Sequence, residues 1–149
     1  MTIRIMVLLK RKQGMSPEEF REKYERGHVR LAVKLFGHLW TAYRRHYLGS
    51  ANSFVQVKGA PTDGAESDSP SAPYDVITEL VFDDAADLDE MNRVVAQNQA
   101  LLSEDEKRMF DRPSCLLVRC STIEEDLSHA RSGRPKASAE LTADQRQQR

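Results

Sequence analysis

A chain of 149 residues, 40% apolar and 30% charged, has the composition of one globular domain with its own hydrophobic core. Its formal net charge of −1 removes the global electrostatic case for nucleic acid or an anionic membrane surface. The longest N-terminal apolar run, IMVLL, lies between Arg4 and Lys10 and is too short for a signal-peptide core or a membrane span, so a cytoplasmic protein is expected.

Residues 2–10, TIRIMVLLK, alternate. Ile3, Ile5, Val7 and Leu9 form one apolar face, and Arg4, Met6, Leu8 and Lys10 a mixed one, which predicts a strand. Gly14 then turns the chain. Ser16 is a good N-cap, Pro17 suits the first helical position, and Glu19 completes a capping box. The predicted helix runs to Leu35 or Phe36, where Gly37 stops it. Phe20, Tyr24, His28, Leu31 and Leu35 share one face of it at spacings of four, four, three and four. Four of these belong in a core, and the fifth is an imidazole. Gly27, just before it, costs about 1 kcal/mol relative to alanine, which implies close backbone approach or a break in the helix.

Residues 40–48, WTAYRRHYL, read as a second strand. Trp40, Ala42, Arg44, His46 and Leu48 fall on one face; Thr41, Tyr43, Arg45 and Tyr47 fall on the other. Residues 49–73 read as a mobile surface insertion, because GAPTDGAESDSPSAP has almost nothing to bury. The short SFVQV piece before it is a candidate partial edge strand. Residues 74–82, YDVITELVF, form the third clear strand, and Asp84 starts a helix with Leu88, Met91 and Val95 as its stripe. A short helix follows, with Ser103 and Glu106 as a second capping box and Met109 and Phe110 as anchors. Residues 114–122, SCLLVRCST, are the fourth strand. Its two cysteines, Cys115 and Cys120, lie roughly 16 Å apart on opposite faces and cannot bridge each other, which suits a reducing compartment. The tail from residue 128 onward is expected to be disordered, or at most a weak helix near its end. Residues 1–127 are thus the expected domain.

The order β-α-β-β-α-β is that of a ferredoxin-like split βαβ unit, an α+β fold with an antiparallel sheet covered by helices on one face. The other face carries mixed residues and needs a cover. A homodimer packing two sheets face to face supplies one.

Some strings go further. LLKRKQGMSPEEFREKYERGHVRLAVKL resembles the opening of EthD-domain proteins of the dimeric α+β barrel superfamily, through its basic run, the Gly-Met-Ser turn, Glu18, Glu19, Phe20, Tyr24 and His28. YDVITELVFDD, then LSEDEKRMFD and a last apolar strand, is similar to the family's second half. Where the family usually has a proline two residues after the histidine, this chain has Arg30. The resemblance implies a small pocket enclosed by a two-subunit barrel, working without a metal or organic cofactor. It also implies isomerase, dehydratase or decarboxylase chemistry, with the position of His28 acting in the cleft.

An imidazole, with an unperturbed pKa near 6.5, suits proton transfer worth about 10²–10⁴ in rate. The expected activity is therefore a cofactor-independent lyase or isomerase acting on a small oxygenated aromatic or polyketide-derived compound. A non-catalytic dimeric binding protein for a hydrophobic molecule is the alternative from another class, and a cofactorless oxygenase is the third. His28, His46 and Glu79 are the candidate catalytic residues. Glu79, a carboxylate between Ile77 and Val81, needs a partner. It either orients His28, pairs with Arg44 or Arg45, or acts as the base itself. Tyr24, Trp40, Tyr43, Arg45 and Tyr47 are the candidate ligand contacts, and which face of strand 40–48 lines the pocket stays open. The four histidines lack metal-binding spacing, and no dinucleotide-, phosphate- or nucleophile-elbow motif is present. YRRHY splits its basic and aromatic members between two faces, against a nucleic-acid reading.

Overall fold

A computed structural model describes residues 1–49 and 73–133. Strand β1 (Ile3–Leu9) leads into helix α1 (Pro17–Lys23), a π-helical turn (Tyr24–His28) and helix α2 (Val29–Phe36). Strands β2 (Ala42–Tyr47) and β3 (Val76–Phe82) follow, then helices α3 (Ala85–Gln97) and α4 (Gln99–Lys107), strand β4 (Leu116–Cys120) and a short helix α5 (Ser128–Ser132). The sheet order is β2-β3-β1-β4, with every pairing antiparallel. This is the ferredoxin-like α+β arrangement that the element order predicts. No helix among the described residues is long and apolar enough to cross a membrane.

The alternation of β1 decides which side of the sheet is covered. Ile3, Ile5 and Leu9 are buried, together with Leu80, Phe82 and Val76 opposite them, and they pack against Phe20, Tyr24, Val29 and Phe110 or against Leu88 and Met91. All of these lie on the helix side. Arg4, Met6 and Leu8 face the other way, in register with Val81, Glu79 and Ile77.

Two predicted N-caps form, although the Glu19 carboxylate that was to complete the first capping box pairs with Lys23 at 3.2 Å instead. Ser16 Oγ accepts from Glu19 N–H at 3.1 Å, and Asp84 Oδ1 accepts from Ala86 and Asp87 N–H at 2.9 and 3.2 Å. The second capping box does not form. Ser103 sits inside α4, whose N-cap position is Asn98, and its hydroxyl accepts from Arg112 Nη1 at 3.1 Å instead.

The helix carrying His28 departs from the prediction in an instructive way. Val29 N–H donates to the carbonyl of Tyr24, five residues back, so one turn holds an extra residue. An extra residue rotates everything downstream by about 100°. The buried positions therefore move from Leu31 and Leu35, which are only partly buried, to Ala32 and Phe36. Gly27 lies in this turn, and a side chain there would meet open space, so the break is realised and the close approach is not. Arg30, where the family pattern has proline, is exposed on an uninterrupted α2.

Helix α3 buries none of its residues fully; Leu88, Met91 and Val95 are half-buried. Helix α5 forms at the start of the stretch predicted to be a disordered tail, and every residue in it is exposed. The SFVQV piece, most of the 49–73 insertion and the tail from residue 134 lie outside the described residues.

Candidate functional site

A cavity of about 360 Å³ lies between sheet and helices within one chain. Its floor includes Val7, Leu9, Tyr43, Thr78 and Leu80; its roof includes Ala32, Phe36, Met91, Val95 and Leu102. The volume falls in the lower part of the range for small-molecule sites, about 300–1,000 Å³. The pocket implied by the resemblance was one enclosed by two subunits; here the helix face of a single sheet supplies the walls.

His28 lines this cavity. Its ring stacks on Tyr24, with centroids 5.4 Å apart and planes 14° from parallel, and meets Phe110 edge-on at 5.2 Å. Asp105 of α4 lies 2.7 Å from Nδ1. A carboxylate only accepts, so Nδ1 carries the proton and donates it. Both side chains are 16% exposed. With Nδ1 committed, Nε2 is the nitrogen left to accept, the tautomer a general base requires.

Tyr24 Oη and Thr78 Oγ1 share a hydrogen bond of 2.7 Å under the ring stack. Burial raises the Tyr24 phenol above the ordinary tyrosine value. Burial, followed by the charge and hydrogen bond of Tyr24, raises that of Tyr43 as well. Both phenols are therefore neutral near pH 7 and keep their hydroxyl protons. At the same end of the cavity, Arg112 donates to Ser103 and pairs with Glu106 at 3.3 Å.

The face of β2 left open by the sequence resolves here. Tyr43, Arg45 and Tyr47 point to the helix side, in register with Leu80, Thr78 and Val76. Trp40 precedes the strand and packs against Phe36 and Tyr43, so it shares their side and not that of His46. Of the five candidate ligand contacts, Tyr24, Trp40 and Tyr43 line the cavity. Arg45 and Tyr47 instead hold the π-helical turn. Arg45 grips Glu25 with two bonds of 2.7 and 3.1 Å, and Tyr47 donates to the same carboxylate at 2.6 Å. Burial opposes ionisation of Glu25, but these donors win and lower its carboxyl pKa. Burial and the bond to Glu25 in turn raise the Tyr47 phenol above the ordinary tyrosine value and keep it protonated.

His46 and Glu79 lie on the opposite face of the sheet from His28. Glu79 is buried at 6% exposure and paired with two guanidinium groups, Arg4 Nε at 3.0 Å and Arg44 Nη1 at 3.1 Å, with His46 Nε2 at 3.7 Å. Of the roles open to Glu79, pairing with Arg44 is the one realised, and Asp105 is the carboxylate that touches His28. The sequence reading gave Ser103 and Glu106 a role only as a capping box, and gave Asp105 and Arg112 none. The available signal was the pair Met109 and Phe110 just after α4, apolar anchors that hold its last turn against the core. Among the described residues no group of three His, Cys, Asp or Glu side chains is placed to hold a metal ion.

The EthD domain family model matches residues 12–113. No curated protein sequence matches the chain. Among solved structures, an EthD-like protein from Ralstonia eutropha is similar at 14% identity, with 84% of this chain and 96% of that one covered and a TM-score of 0.53; it shows the fold. An Arabidopsis thaliana protein is similar at 16% identity, with 84% and 99% covered and a TM-score of 0.49. A Bacteroides fragilis protein, described as dimeric, ferredoxin-like and of unknown function, is similar at 9% identity, with 81% and 96% covered and a TM-score of 0.43. With two thirds of its length matched, on the fold and around the histidine described above, the chain belongs to the EthD domain family.

Proposed function

We propose that the protein is a cofactor-independent lyase or isomerase of the dehydratase type, moving protons on a small oxygenated, aromatic or polyketide-derived compound held in the cavity. The observation that carries this reading is the His28–Asp105 pair, 2.7 Å long, at the wall of a cavity of ligand size. His28 Nε2 takes a proton from a carbon next to a carbonyl. The neutral phenols of Tyr24 and Tyr43 donate hydrogen bonds to the oxygen that gains charge. The imidazolium then returns the proton to another carbon, which is isomerisation, or to a departing hydroxyl, which is dehydration. Asp105 stabilises the imidazolium in between. Stacking on Tyr24 and the edge contact with Phe110 keep the ring in one orientation.

The assembly is part of the same proposal. The face carrying Met6, Leu8, Leu116, Val118 and the Glu79 cluster is the one to pack against a second copy, closing a dimeric α+β barrel. Leu116 and Val118 are 51% and 46% exposed in the single chain. Free Cys115 and Cys120 suit a reducing, cytoplasmic setting.

Proton exchange at the α-carbon of β-hydroxy-ketone and hydroxy-aromatic ketone probes in D₂O, followed by NMR, tests the chemistry. Wild type exchanges the proton, and His28→Ala loses about 10²–10⁴ of that rate. Probes that bind wild type without exchange would make the protein a binding module instead.

A further inference from the structure

The cavity has two unlike ends. His28, Ser103, Glu106 and Arg112 gather at one. Phe36, Trp40, Met91 and Val95 form the other, in the apolar cluster around Ala32 and Leu102. His28, Ala32 and Phe36 follow one another at every fourth residue, so the cavity extends about 12 Å along the helix at 1.5 Å per residue. That length in a 360 Å³ volume describes a slot with room for flat rings placed end to end.

Charge is as uneven as polarity. Among the described residues lining the slot, Arg112 is the only side chain with a permanent positive charge, and it is already held by Glu106 at 3.3 Å and Ser103 at 3.1 Å. Asp105 stands behind His28. Leaving His28 out of the count, two carboxylates face one guanidinium at the polar end, so an incoming carboxylate meets their repulsion and finds Arg112 already paired.

We infer that the slot selects a neutral, elongated aromatic ligand of two or more rings, its oxygenated end at His28 and its body lying on the sheet beneath Ala32, Phe36, Met91 and Val95, and that it excludes the corresponding carboxylates. This rests on the cavity assigned above and narrows its chemistry. Reactions that begin from a free carboxylate, decarboxylation among them, are disfavoured, and dehydration or isomerisation of neutral ketones and phenols is favoured.

Direct binding at pH 7 to 2-naphthol, 2-naphthoate and phenol, by calorimetry or fluorescence, tests the inference without requiring turnover. At that pH the phenols are neutral and the acid is ionised. Wild type is expected to bind 2-naphthol at least about tenfold more tightly than 2-naphthoate. Glu106→Gln, which frees Arg112, should narrow the gap by tightening 2-naphthoate alone. Ala32→Leu, or the smaller Ala32→Val if leucine prevents folding, should weaken 2-naphthol and spare phenol. Equal or tighter 2-naphthoate binding by wild type overturns the charge selection. Equal weakening of phenol and 2-naphthol by both Ala32 variants, or no effect from either, overturns the elongated placement. Failure of 2-naphthol to bind overturns both. Binding in this pattern without proton exchange on the ketone probes leaves the inference standing and removes only the catalytic reading.

Discussion

On the helix side of the sheet, Thr78 and Tyr43 meet Tyr24 and a cavity whose histidine comes from the helical segment after α1. On the other side, one residue along the same strands, Glu79 draws Arg4, Arg44 and His46 into a closed ion cluster. Both faces hold a histidine beside a carboxylate, yet their surroundings differ. His46 is 55% exposed and 3.7 Å from an acid shared with two arginines. His28 has an acid within 2.7 Å, aromatic rings on two sides and a cavity in front. A histidine–carboxylate pair becomes a candidate for catalysis when it has space beside it for a reactant.

This contrast can be broken from either side. The largest effect is expected from Glu79→Leu, which leaves Arg4 without its counter-ion in a mostly buried position. Breaking such a pair costs about 3 kcal/mol, the low end of the range because Arg44 and His46 are more than half exposed. Chemical denaturation should register that loss while proton exchange on the ketone probes stays within a few-fold of wild type. A comparable loss of exchange would move the chemistry to the open face.

Asp105→Asn sharpens the comparison from the cavity side. An amide no longer stabilises the imidazolium or selects the Nδ1–H tautomer, so the exchange rate should fall about 10²-fold with little change in probe affinity. Loss of affinity with an unchanged rate would make Asp105 a packing residue.

Smaller effects test the π-helical turn that aims His28. Gly27→Ala should stabilise the protein by about 0.5–1 kcal/mol, because a methyl group there meets nothing and the unfolded chain loses freedom. Destabilisation would mean that Gly27 is needed for the turn itself. Glu25→Gln acts through pH. The folded-state pKa of Glu25 is lowered, so its contribution is present above the unfolded glutamate value, about 4.3, and is lost as pH falls through the folded value. The variant's stability should therefore vary less with pH across that acidic window, and the effect is small because the side chain is 33% exposed. An unchanged profile would mean that the Arg45–Glu25–Tyr47 clamp adds nothing.

β1, β3 and β4 were legible from period-two alternation or a continuous apolar run and β2 from its aromatic content, and register follows once Ile3, Ile5 and Leu9 must be buried. The caps at Ser16 and Asp84 were legible because their partners lie within three residues. Ser103 and Glu106 have the spacing of such a cap, but α4 had already begun at Gln99, and their side chains turn to Arg112. The shift from Leu35 to Phe36 was not legible, since a π-helical turn adds a residue without a composition of its own, and Gly27 marks the place without stating the outcome. The partner of His28 was least legible of all. Asp105 is 77 residues away on a helix with a charged sequence, and only the packing of Phe110 against His28 brings it close.

The central claim is that chemistry belongs to the cavity under the helices. The direct test is α-proton exchange measured in parallel on His28→Ala and His46→Ala. A loss of about 10²–10⁴ is expected for His28→Ala and a near wild-type rate for His46→Ala. The reverse pattern, or equal losses in both, would contradict the claim.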